Sequence, residues 1–238
     1  MKILYSEENE TFLHKDEKKP FSTKEGTILP ADLTNPQATT NKGKTYTIFN
    51  ADFLDQWKHL KRGAQIFQPK DVGAIIVHTG MGKDSVLVEA GGGSGKGTSF
   101  FANICKHIYC FERNPDHAKM IRSNLEALKL TNFTLIEDAI QNDKLEIAAD
   151  IVILDLLDTS DAMIHASKFL KSGGRLVTYN PHMSQVSDIV NHEQVQKIYL
   201  HESTLESNER QWLVKGKQAR PEFIQQVHSG FLSFCRKK

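Results

Sequence analysis

The chain has 238 residues, 39% hydrophobic and 25% charged, which provides for one ordinary α/β domain with a small appendage and excludes wholesale disorder. With 30 Lys and Arg against 29 Asp and Glu, the formal charge is +1, so a uniformly basic nucleic-acid coat is excluded and a local basic face is not. The opening MKILYSEENE has no apolar signal core, no apolar run approaches the roughly 18 residues of a membrane span, and Cys105, Cys110 and Cys235 lack CxxC spacing. The expectation is a soluble, cytoplasmic protein with no membrane contact, no disulfide framework and no zinc site.

The first fifty residues read as a small all-β module. Short β-like runs at 2–5, 11–14, 27–29 and 45–49 alternate with turn clusters such as Glu-Glu-Asn-Glu and Asp-Glu-Lys-Lys-Pro. Residues 51–60 read as a helix with Asn50 as its N-cap, the start of a connecting segment over 51–84. From 85 to 238 strand and helix alternate. The reading is strand 85–89, a glycine loop, helix 98–106, strand 107–112, helix 114–129, then strands at 133–137, 150–154 and 175–179. In the second helix Ala118, Ile121, Leu125 and Leu128 recur at helical spacing and mark its core face. Two final strands near 197–202 and 227–235, joined by a polar segment, are expected to form an antiparallel hairpin at the sheet edge. This alternation predicts a doubly wound, mostly parallel sheet with right-handed crossovers.

The stretch Val86-Leu87-Val88-Glu89-Ala90-Gly91-Gly92-Gly93-Ser94-Gly95-Lys96-Gly97-Thr98 is the most informative. A strand running through glycines into a helix turns backbone N–H groups toward a ligand. A P-loop fails at Ala90 and Gly97. A dinucleotide fingerprint fails at Lys96 in one frame and Thr98 in the other, so a dehydrogenase is disfavoured. What remains is an acid followed by GxGxG, the loop shape used by S-adenosylmethionine (SAM) enzymes. Glu112, Asp138 and Asp155 follow the ends of the next three strands, where open α/β sheets bind ligands: near ribose hydroxyls, the adenine edge and the reactive end respectively. Each acid alone reads equally as a helix cap or a solvated loop acid; all of them with the glycine loop read as a cofactor pocket.

The sequence also resembles the tRNA (adenine-N1)-methyltransferases that make 1-methyladenosine in the T-loop. The resemblance rests on Ser22-Thr23-Lys24-Glu25-Gly26, Leu60-Lys61-Arg62-Gly63-Ala64-Gln65-Ile66, Pro69-Lys70-Asp71, the glycine loop, Asp155-Leu156-Leu157, and Tyr179-Asn180-Pro181 with Gln185. It continues through Glu209-Arg210-x-Trp212, Arg220-Pro221 and His228-x-Gly230-Phe231-Leu232. It implies a class I Rossmann-like methyltransferase domain with a seven-stranded sheet, SAM as cofactor, tRNA as partner and a homotetramer. Carried over by position, Glu89, Gly91, Gly93, Glu112, Asp138 and Asp155 would form the cofactor pocket, with Ser94, Gly95 and Arg113 beside them. Asp155 and Tyr179 would face the target adenine. The sequence departs from the family at Gly92, where threonine is usual, and at Leu157, where proline or methionine is frequent.

Methyl transfer from a sulfonium to a ring nitrogen needs no strong base, because the nitrogen already carries an in-plane lone pair. Positioning and charge stabilisation should supply the catalysis, and an anionic Asp155 accepting from the exocyclic amine would do both. Tyr179 has two readings, a fence for the base or an ordinary core aromatic. Gln65 and Asp71 flank a loop that either covers the methionine end of the cofactor or caps the next helix. Arg220 and His228 are candidate substrate contacts, with a solvated charge or a structural histidine as the alternatives; no partner spacing makes His228 a metal ligand. The rival functions are a SAM methyltransferase for another acceptor, such as protein isoaspartate or a small molecule, and a non-catalytic RNA-binding subunit.

Overall fold

The computed structural model describes all residues except 9, 64–66, 143–145 and 224–227, and divides into two compact units, Met1–Leu60 and Lys61–Lys238. In the first unit, β1 (Lys2–Ser6), β2 (Thr11–His14), β5 (Gln37–Thr39) and β6 (Thr45–Asn50) form an antiparallel sheet of order β2-β1-β6-β5. A hairpin of β3 (Phe21–Thr23) and β4 (Gly26–Ile28) and a 3-10 turn at Pro30–Thr34 complete it. Leu4, Phe21, Ile28, Leu33, Tyr46 and Ile48 make its core, with Phe12, Phe21 and Tyr46 meeting edge to face. Helix α1 (Phe53–Lys58) is capped by Asp52 rather than Asn50, because Asp52 and Asp55 exchange side-chain-to-backbone bonds in a capping box. Strands β3 and β5, three residues each, are too short to announce themselves by alternation.

In the second unit, α2 (Pro69–Thr79) begins with proline in its first turn and ends on Gly80 in the left-handed region. The sheet that follows contains β7 (Val86–Ala90), β8 (His107–Phe111), β9 (Phe133–Ile136), β10 (Ala149–Leu154), β11 (Leu170–Asn180), β12 (Tyr199–Leu205) and β15 (Phe231–Lys237). A separate hairpin of β13 (Trp212–Lys215) and β14 (Gln218–Pro221) occupies the polar segment between β12 and β15. The sheet order is β12-β15-β11-β10-β7-β8-β9; every pairing from β11 to β9 is parallel, and β15 runs antiparallel to both its neighbours. This is the Rossmann-like methyltransferase fold, with the topological switch at β7.

The central strands β7 and β10 are buried on both faces, as parallel strands are. Along β10, Val152 and Leu154 point into one apolar cluster with Met163 and Phe169, while Ile151 and Ile153 point into the other with Leu87 and Phe101. Helices α3 (Lys96–Ala102), α4 (Pro115–Ala127), α5 (Thr159–Ala166), α6 (Met183–Asn191) and α7 (Glu193–Ile198) complete the unit. Helix α3 starts and stops earlier than the expected 98–106, since Gly95 opens it in the left-handed region and residues 103–106 turn back toward β8. Asn114 caps α4, accepting from the amides of Asp116 and His117, and Ala118, Ile121 and Leu125 are buried.

The final pair of strands forms the antiparallel hairpin expected at the sheet edge, and the structure adds which of the two is outermost. β12 and β15 do pair antiparallel, from Tyr199↔Lys237 to Leu205↔Leu232. Yet β15 also pairs with β11, so it is an interior strand and only β12 is an edge. The run Leu232-Ser233-Phe234-Cys235, buried at every position, is the physical reason: such a strand needs cover on both faces. No helix among the described residues is long and apolar enough to cross a membrane.

Candidate functional site

The site is built around the end of β7. Gly91 leaves that strand at φ +89°, its N–H donating to Phe111 O at 3.0 Å, and a Cβ there would lie 2.1 Å from Asp155 O. Gly92 has no such twist, but a Cβ on it would come within 2.4 Å of Cys110 Sγ and 2.8 Å of Ile121 Cδ1. The bulk of Cys110 and Ile121 behind the loop thus leaves no room for a side chain at Gly92.

Three acids converge on the loop from successive strand ends. Glu112 accepts from Gly93 N with Oε2 and from Asn114 N with Oε1, both at 2.8 Å, so it ties the glycine loop to the end of β8. Asp138 accepts from Ala139 N at 2.7 Å and from Asn142 Nδ2 at 2.8 Å, and the Asn142 bond holds its carboxyl below the ordinary range. Asp155 follows β10, its N–H donating to Ala90 O at 2.9 Å. Burial, reinforced by the nearby Glu112, pushes the Asp155 carboxyl up to about 7.

Glu89 lies deeper, in β7 itself. It is 1% exposed, and among the described residues neither carboxyl oxygen has a hydrogen-bond partner within bonding geometry. Burial pushes it up to about 8, against the opposing pull of Thr98 and Cys110, and the nearby Asp155 and Glu112 add repulsion.

A cleft of about 350 Å³ opens over this arrangement. Of the residues singled out in the sequence, Gly91, Gly93, Ser94, Glu112, Arg113, Asp138 and Asp155 line it. Glu89 and Gly95 lie behind the lining, and Gln65 falls outside the described residues. Tyr179 is 2% exposed in the core: its ring meets Phe67 edge-on at 5.0 Å and its hydroxyl donates to Ser229 O at 2.5 Å. Asp71 is buried in the first turn of α2, where Lys70 donates to it at 2.9 Å.

Arg220 sits on β14, with its guanidinium over the Phe223 ring at 3.9 Å. His228 bridges Glu206 Oε1 at 2.5 Å and Pro181 O at 3.0 Å. The protonated ring can donate to both from its two nitrogens, and the Glu206 bond holds the His228 pKa above the ordinary value. Pro181 lines the cleft, so His228 stands one residue behind the rim.

The sequence reading missed His117 in the first turn of α4 and Ile140 and Gln141 on the 3-10 turn after Asp138, all lining residues. Their signal was positional only: each follows a strand-end acid by two to five residues.

The residues present fit SAM. A cradle that a Cβ at Gly91 would fill, an orphaned carboxyl at Glu89 and three strand-end carboxylates suit a ligand carrying a sugar diol, a flat base and positive charge. Among the described residues no group of three or more His, Cys, Asp or Glu is placed to hold a metal ion.

Comparison with known proteins covers both units. The family model described as "tRNA methyltransferase complex GCD14 subunit" matches residues 55–236. The tRNA (adenine(57)-N(1)/adenine(58)-N(1))-methyltransferase TrmI of Methanocaldococcus jannaschii is 28% identical over 267 aligned positions, which cover 99% of this chain and 94% of that one. The tRNA (adenine(58)-N(1))-methyltransferase TrmI of Thermus thermophilus is 30% identical over 203, covering 83% and 79%. Among solved structures, the tRNA (m1A58) methyltransferase TrmI of Aquifex aeolicus matches with a TM-score of 0.86 at 19% identity, over 100% of this chain and 96% of that one. A SAM-dependent O-methyltransferase of Thermotoga maritima matches with 0.89 at 24%, over 99% and 92%. At those identities the two structures speak for the fold alone, and their different acceptors show that the fold does not choose the acceptor.

Proposed function

The chain belongs to the GCD14 tRNA methyltransferase family, and from that premise we propose how its cleft works. The enzyme transfers a methyl group from SAM to N1 of an adenine in the tRNA T-loop, giving 1-methyladenosine. The observation that carries the residue assignment is the Asp155 carboxyl, which shares one cleft with the glycine loop and Glu112.

When bound, SAM supplies a methyl group on a positively charged sulfur, activated for in-line displacement without a metal. Glu112 is assigned to the ribose hydroxyls, Asp138 and Arg113 to the adenine side, and the loop from Gly91 to Gly95, backed by Glu89, to the methionine part, to which the resemblance also assigns Gln65. Asp155 accepts a hydrogen bond from the exocyclic amine of the target adenine and offsets the positive charge that grows on the ring. Its carboxylate form is the active one; burial and Glu112 raise its pKa, and the positive charge of SAM, when bound, would favour the carboxylate. Tyr179 backs the base side from the core, through its bond to Ser229. Arg220 reaches phosphate from β14, and His228 supports the rim at Pro181. A protomer of charge +1 holds tRNA on a locally assembled strip, in keeping with a homotetramer acting in the cytoplasm.

The test is nucleoside mass spectrometry on unmodified tRNA transcript incubated with the protein and SAM. Appearance of 1-methyladenosine is the expected result. Bound SAM with no methylated nucleoside would move the acceptor to protein or small molecules.

A further inference from the structure

The side chain of Asn180, at the end of β11, is fully buried and reaches the loop that follows β10. Its Nδ2 donates to Thr159 Oγ1 at 3.0 Å, and the Thr159 hydroxyl donates to Leu156 O at 2.7 Å. The direction of this relay is fixed by chemistry. A carbonyl only accepts, so the hydroxyl proton is committed to Leu156 and its lone pair is what Asn180 meets. With the amide turned over, Oδ1 and Leu156 O would compete for a single proton.

Leu156 is the residue after Asp155, and both line the cleft. The Asp155 loop is thus held twice, by Asp155 N to Ala90 O at 2.9 Å on the β7 side and by Thr159 to Leu156 O on the α5 side. Asn180 Oδ1 is buried without a partner among the described residues. An orphaned acceptor in the core is unfavourable, and an apolar residue of the same size would avoid it. What the amide contributes there is its donor.

We propose that Asn180 is a positioning residue for methyl transfer, acting through Thr159 and Leu156 to fix the Asp155 carboxylate in the cleft. The proposal rests on the reading of Asp155 as the group that meets the adenine amine. Charged and titratable neighbours of that carboxylate are Glu89 from β7 and Glu112 from the end of β8.

Thr159→Val keeps the shape and removes the hydroxyl; Thr159→Ser keeps the hydroxyl. Asn180→Asp replaces the donor by a second acceptor. The expected result for Thr159→Val is a kcat at least ten-fold lower, with KM for SAM within about two-fold and recovery of most of kcat in Thr159→Ser. The loosened loop admits water to Asp155, so the acid limb of the kcat profile moves to lower pH, and the Asp155-linked pH dependence of thermal stability of the protein alone becomes shallower. Asn180→Asp follows Thr159→Val where it folds.

Wild-type kcat and pH profile in Thr159→Val would overturn the proposal. So would equal losses in the valine and serine variants, or a lowered kcat with an unmoved acid limb and a lowered melting temperature. Asp155→Asn, measured alongside, separates the two ideas: if it is inactive while Thr159→Val is normal, only the relay fails; if it is fully active, the role of Asp155 fails.

Discussion

Gly91 and Asp155 meet backbone to backbone, so closely that a methyl group on Gly91 would sit 2.1 Å from the Asp155 carbonyl oxygen. The turn that opens the cleft and the loop that carries its central acid are therefore one packed unit. Gly91→Ala adds both that collision and a strained φ of +89°, and the expected destabilisation is about 2–4 kcal/mol, with loss of SAM binding. Thermal denaturation and a SAM titration check it; an unchanged melting temperature contradicts the packing described.

Asp155→Ala keeps the fold and most of the cofactor affinity, because the side chain is half-buried in the cleft lining, just past the end of β10. Turnover is expected to fall by about 100-fold or more, the scale of losing a preorganised electrostatic group in an enclosed site. Single-turnover methylation of a tRNA transcript reads this directly, and near-normal turnover rules out the assigned role.

Glu112→Ala leaves the amides of Gly93 and Asn114 without their acceptor. Hydrogen bonds to a charged group contribute about 1.5–3 kcal/mol. With water replacing part of that, SAM affinity is expected to drop at least about ten-fold, measurable by calorimetry. An unchanged affinity would mean that the glycine loop holds its shape without the tie.

The raised carboxyls give the protein a pH signature. Asp155 at about 7 and Glu89 at about 8 bind protons more tightly folded than unfolded, where a carboxyl titrates near about 4. Between those limits the folded state holds the extra protons, so stability falls as pH rises and levels off above about pH 8. The slope is at most about 1.4 kcal/mol per pH unit for each group. His228, raised by Glu206, adds a slope of the same sign, because its stabilising charge is lost as pH rises through its folded value. Glu89→Gln is expected to flatten the melting-temperature profile between about pH 5 and 8 relative to wild type; an identical profile would show that Glu89 does not titrate there. SAM, being cationic, should bind with release of protons and more tightly toward pH 8.

Much of this architecture is legible in the sequence because it is local. Glu112, Asp138 and Asp155 come together in one cleft since each sits at or just past the carboxyl end of a strand of a parallel sheet, and the apolar spacing of Ala118, Ile121 and Leu125 marks α4. Helices α5, α6 and α7, six to nine residues long, carry too few turns for a periodic stripe to stand out. The Asn180–Thr159 contact spans 21 residues and leaves no pattern in either segment. The titration of Asp155 depends on burial and on Glu112, neither visible in a string of letters. The interior place of β15 is a matter of long-range pairing, which hydrophobic alternation does not reveal.

That place has a consequence for synthesis. β11 and β12 are made well before the strand that separates them, and β15 must then slide between two strands already on hand. Until residues 231–237 clear the ribosome, the edge from Arg175 to Asn180 presents unpaired backbone beside apolar Leu176 and Val177. Insertion of the closing strand is a non-local and therefore slow event, and a nascent or truncated chain stopped before it carries a sticky open edge. The sheet that frames the cleft is thus closed from the inside by the strand that comes latest in it.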